Sequence, residues 1–256
     1  MFILEYLWKV VWQSGAVLCL MLPVLFAGLV MHFISDLICD RMGRIFGGMA
    51  YIYFTAPGVM IHELSHAFFC LIFRHKILKL QLFSPERDGT LGYVKHRYNT
   101  DNLYQQTGNF FIGTGPLWGG LLMIWLLSML LLPREVWYLD INNSVASEEF
   151  FGVIFSGSFW KRWQTWIWIY LFFAIASHMT LSMSDLSGAW RGFLYLLVAV
   201  VIFELLFAWW TELHLLIARG MIKLFSFAAL QMSGIIIFSL TAAFFLAIIA
   251  PKKGFR

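Results

Sequence analysis

His62-Glu63-Leu64-Ser65-His66 is an H-E-x-x-H pentapeptide, and its chemistry follows from helix geometry. Positions i and i+4 share one face of an α-helix about one turn apart, so two imidazoles there reach a single cation. The glutamate after the first histidine then lies close enough to bond a metal-held water. The pattern supplies two ligands and a base. Chance accounts for it poorly, since average His and Glu usage gives such a pentapeptide in roughly one chain of this length in a hundred. Between Arg44 and Arg74 the only charged residue is Glu63. A lone carboxylate with two histidines in an apolar run costs several kcal/mol unless it is paired or metal-bound.

A catalytic zinc keeps three protein ligands and leaves the fourth place to water or substrate. Asp185 is the expected third ligand, because it follows the fourth apolar segment at about the depth expected for the two histidines. An aspartate there also suits the cap of a helix starting near Leu186, so ligand and cap stand as alternatives. His178 is the rival ligand. It precedes Asp185 by seven residues, on the same helical face but about 10 Å away along the axis, so one ion does not take both directly.

The elements that must position these groups read as membrane helices. The chain has 256 residues, 61% hydrophobic and 12% charged, with 26 Phe and 12 Trp; that is about half the charge of a soluble domain. Six segments are long enough for a hydrocarbon core of about 30 Å: Gly15 to Ile34, Gly48 to Phe73, Phe110 to Leu132, Trp163 to Met183, Phe193 to Trp210 and Leu224 to Ala250. Pro23 is expected to kink the first without breaking it, and the fifth is short and contains Glu204. No repeat or linker divides the chain, so residues 1–256 are expected to form one membrane-embedded domain with a core at about 48–188 and accessory helices at 189–250. The apolar stretch near the N-terminus is too long for a cleavable signal and lacks an A-x-A-like site.

Cys19, Cys39 and Cys70 are odd in number and suit packing, not a disulfide framework. The net charge of +4 is scattered over short connectors, which excludes a nucleic-acid surface and bears on topology. With six crossings, eleven of the 18 Lys and Arg fall on one side, including those from Arg74 to Arg97, and seven on the other. The positive-inside rule then puts both termini and Asp88 in the cytoplasm and Asn142 outside. Between the second and third segments, Leu78 to Leu82 alternates with period two, the stretch from Ser84 to Gly89 is turn-rich, and Leu91 to Tyr98 can return. This predicts a β-hairpin at the membrane surface. Its edge could pair with an extended peptide, or the hairpin could merely cover the bundle end. Gly113, Gly115, Gly119 and Gly120 are expected to let a helix pack closely on the metal helix, and the tryptophans from Trp160 to Trp168 read as an interfacial belt. His32 and His214 lie near segment ends with no special role.

His-Glu-Leu-Ser-His in the second segment, Thr114-Gly115-Pro116-Leu117-Trp118-Gly119 opening the third, and an aspartate late in the fourth together resemble the core of the site-2 protease family of intramembrane zinc metalloproteases. The resemblance covers about Gly48 to Gly188. In that family an A-G-P-x-x-N pattern follows a sheet-forming loop, and N-x-x-P-x-x-x-L-D-G supplies the third ligand. Aligning Asp185 with the family aspartate puts Ser177 where its asparagine stands and Thr180 where its proline stands, with Met183-Ser184-Asp185-Leu186 in place of x-L-D-G. This marks a divergent branch, in which Ser177 and His178 are candidates for oxyanion or substrate contacts.

The resulting expectation is an all-α, six-helix membrane zinc protease of a bacterial cytoplasmic membrane. His62, His66 and Asp185 would hold zinc, and Glu63 would take a proton from the activated water and return it to the departing amine. The partners are the bilayer and a membrane-protein substrate cut in or beside a transmembrane segment, which must unwind locally. The rivals are a non-catalytic protease-like scaffold and a metal transporter. A transporter needs ligands at successive depths along a path, whereas the ionisable groups here converge on one level plus Glu204.

Overall fold

In the computed structural model, residues 2–86, 89–137 and 152–250 are described. Met1, Asp88, Asn142 and the C-terminal residues invoked for topology lie outside them. In chain order the helices are α1 (Phe2–Phe46), α2 (Gly48–Phe54), α3 (Ala56–Ile72), α4 (Leu103–Gly113), α5 (Gly115–Leu131), α6 (Arg134–Trp137), α7 (Gly157–Lys161), α8 (Trp163–Ala176), α9 (Met183–Phe207) and α10 (Thr211–Ile249). Strands β1 (Lys76–Gln81) and β2 (Tyr93–Arg97) lie between α3 and α4 and pair antiparallel. The register places Lys76 opposite Arg97 and Gln81 opposite Tyr93, with an irregularity between Ile77 and Lys79. The expected hairpin is therefore present, shifted by a residue or two at its ends.

Of the six expected crossings, three or four are supported by helix length and composition among the described residues. Among the described residues, the helices α1, α9 and α10 are long and apolar enough to cross a membrane, and a fourth span results if α4 and α5 are counted together despite a 60° bend between them. Helices α3 and α8 have 17 and 14 residues, so they reach about 26 and 21 Å, short of a 30 Å core. The outer faces of the long helices are apolar, with Leu22, Phe26 and Phe33 of α1 and Phe244, Phe245 and Ile248 of α10 all exposed. Surface of that kind suits lipid.

The predicted boundaries fail for physical reasons. Two expected spans break at Thr-x-Pro: Thr55-Ala56-Pro57 separates α2 from α3, and Thr114-Gly115-Pro116 separates α4 from α5. In each, the threonine hydroxyl bonds the carbonyl four residues back, Thr55 to Tyr51 at 3.0 Å and Thr114 to Phe110 at 2.8 Å. The proline then gives no N–H to the next turn. Back-bonding bends a helix and proline ends or kinks it, so together they turn one apolar run into two helices. Pro23 acts alone, and α1 runs through it without a break. The expected fourth segment stops at Ala176, and a new helix begins at Met183 behind an N-cap at Ser182.

Packing centres on α3. It lies against α5 and α8, while α4 packs along α9 and α1 along α10. The core joins these layers through Val24, Met31 and Ile38 of α1, Leu117 of α5, Met179, and Met232 and Ile235 of α10, all nearly sealed from solvent. Of the four glycines expected against the metal helix, Gly115 and Gly119 do face Ser65 of α3. Gly113 instead meets Asp185 and Ala189 at the start of α9, where an added Cβ would strike the Asp185 backbone, and Gly120 meets Met179. The close approach at Gly113 brings Asp185 beside α3.

Candidate metal centre

His62 and His66 stand one turn apart on α3, with their Nε2 atoms 3.1 Å from each other. Each ring is aimed by a backbone carbonyl. His62 Nδ1 lies 2.8 Å from the His178 carbonyl and His66 Nδ1 lies 2.7 Å from the Ile112 carbonyl. Both acceptors are products of the helix breaks. Residue 178 falls after α8 has ended, and the Ile112 carbonyl loses its regular partner because Pro116, four residues on, has no N–H. Chain breaks thus become orienting acceptors.

The third group comes from the start of α9. Asp185 Oδ1 lies 3.4 Å from His66 Nε2, and its Oδ2 lies 3.8 Å from His62 Nε2. The same side chain completes a capping box: Oδ2 accepts from the Ser182 N–H at 3.1 Å and from the Ser182 hydroxyl at 2.6 Å. Ligand and cap are therefore compatible, not exclusive. One ligand atom from each of His62, His66 and Asp185 lies within 4.8 Å of the others, a set that could hold a metal ion.

The protonation states carry the argument further. A ring whose Nδ1–H is given to a carbonyl bears its lone pair on Nε2. With both rings so fixed, two lone pairs face each other at 3.1 Å beside a carboxylate. A cation between them turns this repulsion into coordination, so the donor set fits a metal.

These groups line a cavity of about 520 Å³ together with Glu63, Gly92, Tyr93, Val94, His96 and Ser184. Glu63 is buried. The wall opposite α3 is the second strand and the residues leading into it. At Gly92 the backbone passes so near Glu63 that an added Cβ would sit 2.8 Å from Glu63 Cγ and 2.8 Å from the Gln81 carbonyl oxygen. The site is thus a base and three ligand-type side chains inside a cleft walled on one side by extended chain.

The remaining expected residues lie elsewhere. The His178 ring bonds Thr55 Oγ1 at 2.9 Å and stacks on Tyr51, so its backbone carbonyl, not its imidazole, serves the site. Ser177 is buried and bonds the Phe173 carbonyl of its own helix at 2.8 Å, away from the cavity lining. Glu204 pairs with His214 at 2.6 Å, beside a separate cavity of about 410 Å³. His32 lies 3.8 Å from Asp36, one turn on. Sequence reasoning missed Ser182, the Ile112 carbonyl, Gly92 and His96. Two of these had signals: Ser182-x-x-Asp185 is a capping-box pattern, and Pro116 marks Ile112 as an unpaired acceptor. His96 had none. It and its neighbour His75 are held below the usual imidazole range by burial, His96 down to about 4, with the nearby His75 and His66 contributing.

Among known proteins, no family model, no curated protein and no solved structure matches this chain.

Proposed function

We propose that the chain is an intramembrane zinc metalloprotease, in keeping with the resemblance of its motifs to the site-2 proteases, and that it cuts membrane proteins within or next to a transmembrane segment. The observation that carries this reading is the pair of imidazole lone pairs converging beside Asp185, with Glu63 in the same cavity. Zinc held by His62, His66 and Asp185 would supply Lewis acidity to a water and to a peptide carbonyl. The Glu63 carboxylate takes the proton of the attacking water and returns it to the amide nitrogen as the bond breaks. The Ile112 and His178 carbonyls hold the two rings in the tautomer that leaves Nε2 free. Strand β2 is paired on one edge only among the described residues, so its other edge can receive a locally unwound substrate as an added strand.

The membrane placement belongs to the same proposal. We take α2 with α3, and α8 with the residues after it, as shorter crossings in a locally thinned or protein-lined region, giving six passes of a bacterial cytoplasmic membrane with both termini inside. The excess of Lys and Arg around the hairpin supports that side.

Glu63→Gln tests the reading. It keeps the shape and removes the base, so cleavage of a co-expressed single-span client should fall at least 100-fold while metal content, read by elemental analysis of the purified protein, stays near wild type. Cleavage at the wild-type rate would sink the mechanism.

A further inference from the structure

A second group of ligand-type side chains gathers where the end of α3 meets the sheet. Cys70 Sγ and one ring nitrogen each of His75 and His96 lie within 4.8 Å of one another. They come from three places: the last turns of α3, the connector after it, and β2. Cys70 and His75 are buried, and His96 lines the cavity described above.

The local chain is bent to make this meeting. Arg74 adopts φ 57, the left-handed residue of a Schellman cap that ends α3, with its own N–H on the Leu71 carbonyl at 3.1 Å. The turn lets the His75 N–H bond the Cys70 carbonyl at 2.8 Å, folding its ring back beneath the helix end. There His75 Nε2 donates to the Gln105 carbonyl at 2.8 Å, which leaves Nδ1 as a lone pair directed at His96 Nδ1, 3.0 Å away. Tyr98 stacks on the His75 ring at 4.8 Å and fixes its plane. An imidazole tied to a backbone carbonyl through one nitrogen and offering the other is the usual arrangement of a metal-binding histidine.

We infer that Cys70, His75 and His96 form a second metal site, selective for a borderline-soft divalent cation such as zinc, which ties β2 to the end of α3. One thiol and two imidazoles are the donor set such ions prefer. Binding breaks the Sγ–H bond, releases that proton to solvent and forms the metal–sulfur bond, while both imidazoles bind in their neutral form. The fourth place is left open. The site fixes the strand that walls the candidate active cavity, and it stands whether or not the chain is a protease.

Cobalt(II) alone is the probe, because a thiolate ligand gives it a near-ultraviolet charge-transfer band that His and Asp ligands do not. The full-length chain in detergent, carrying Cys19→Ser and Cys39→Ser, has Cys70 as its one remaining thiol. After chelator treatment and cobalt addition, the band should appear and saturate at one thiolate-bound cobalt per chain. It should persist when His62→Ala and His66→Ala are added, and His96→Gln should weaken that cobalt at least 10-fold. Cobalt binding without the band would remove the second site and leave the first untouched. A band lost on His62→Ala with His66→Ala, or indifferent to His96→Gln, would equally overturn the assignment.

Discussion

Because Ser182 gives both its N–H and its hydroxyl to Oδ2 of Asp185, the carboxylate is held with Oδ1 toward His66, 3.4 Å from Nε2. The serine is therefore a positioning residue for the proposed ligand as well as the cap of α9. Ser182→Ala should weaken metal affinity 10- to 100-fold, the usual cost of losing an outer partner, and lower stability by about 1 kcal/mol through the lost cap. Competition with a chromogenic chelator measures the first and thermal unfolding the second; unchanged affinity with lowered stability would reduce Ser182 to a cap. Asp185→Ala and His178→Ala separate the two aspirants to the third ligand place. Asp185→Ala should release the metal, whereas His178→Ala should keep it, since His62 is oriented by the main chain of residue 178 and not by its ring. Metal retained in the first and lost in the second would reverse the assignment. The meeting of the H-E-x-x-H pair with Asp185 was legible because it is made by side chains, whose type the sequence carries. The His178 carbonyl was not, because a main-chain contact leaves no mark on residue type, and the Ile112 carbonyl was marked only indirectly, by Pro116 four residues on.

At the level of elements, the helix interruptions within the expected spans supply the candidate site with its fixed acceptors. Hydropathy alone registers apolar length, and Thr-x-Pro inside an apolar run leaves that length unchanged, so α2–α3 and α4–α5 each read as one segment. The hairpin was easier, since alternation from Leu78 to Leu82 and a Ser-Pro-rich turn are strong local signals. Its irregularity between Ile77 and Lys79 and its approach to Glu63 at Gly92 depend on contacts distant in sequence. If the break at Pro116 frees the Ile112 carbonyl for His66, Pro116→Ala should return an N–H to that carbonyl, straighten the 60° bend and loosen the His66 ring. Metal affinity should then fall about 10-fold or more in a protein that still elutes as a single species. Wild-type affinity in that variant would mean that the His66 ring is oriented by packing alone.

For the whole molecule, the way three long apolar helices and one bent pair among the described residues sit in a bilayer turns on that pair. The 60° bend between α4 and α5 fits either a broken span or a re-entrant loop that leaves by the side it entered. The bent pair is the one candidate span between the hairpin and α7 among the described residues, so two probes decide the matter. Lys79 of β1 and Ser158 of α7 are both exposed. In a Cys19→Ser, Cys39→Ser background, with buried Cys70 as the unlabelled control, Lys79→Cys should react with an impermeant maleimide only after the membrane is opened, and Ser158→Cys should react on intact cells. That result supports a crossing pair with the hairpin and Asp185 toward the cytoplasm, so cleavage would fall in the cytoplasmic half of a client's span. Reaction of Lys79→Cys on intact cells with Ser158→Cys protected would invert the orientation and overturn the charge argument. Equal behaviour of the two would make α4–α5 re-entrant. The second strand and the ligands of α3 would then lie over a water-filled recess rather than at the end of a full span, and juxtamembrane segments would replace transmembrane ones as the expected substrates.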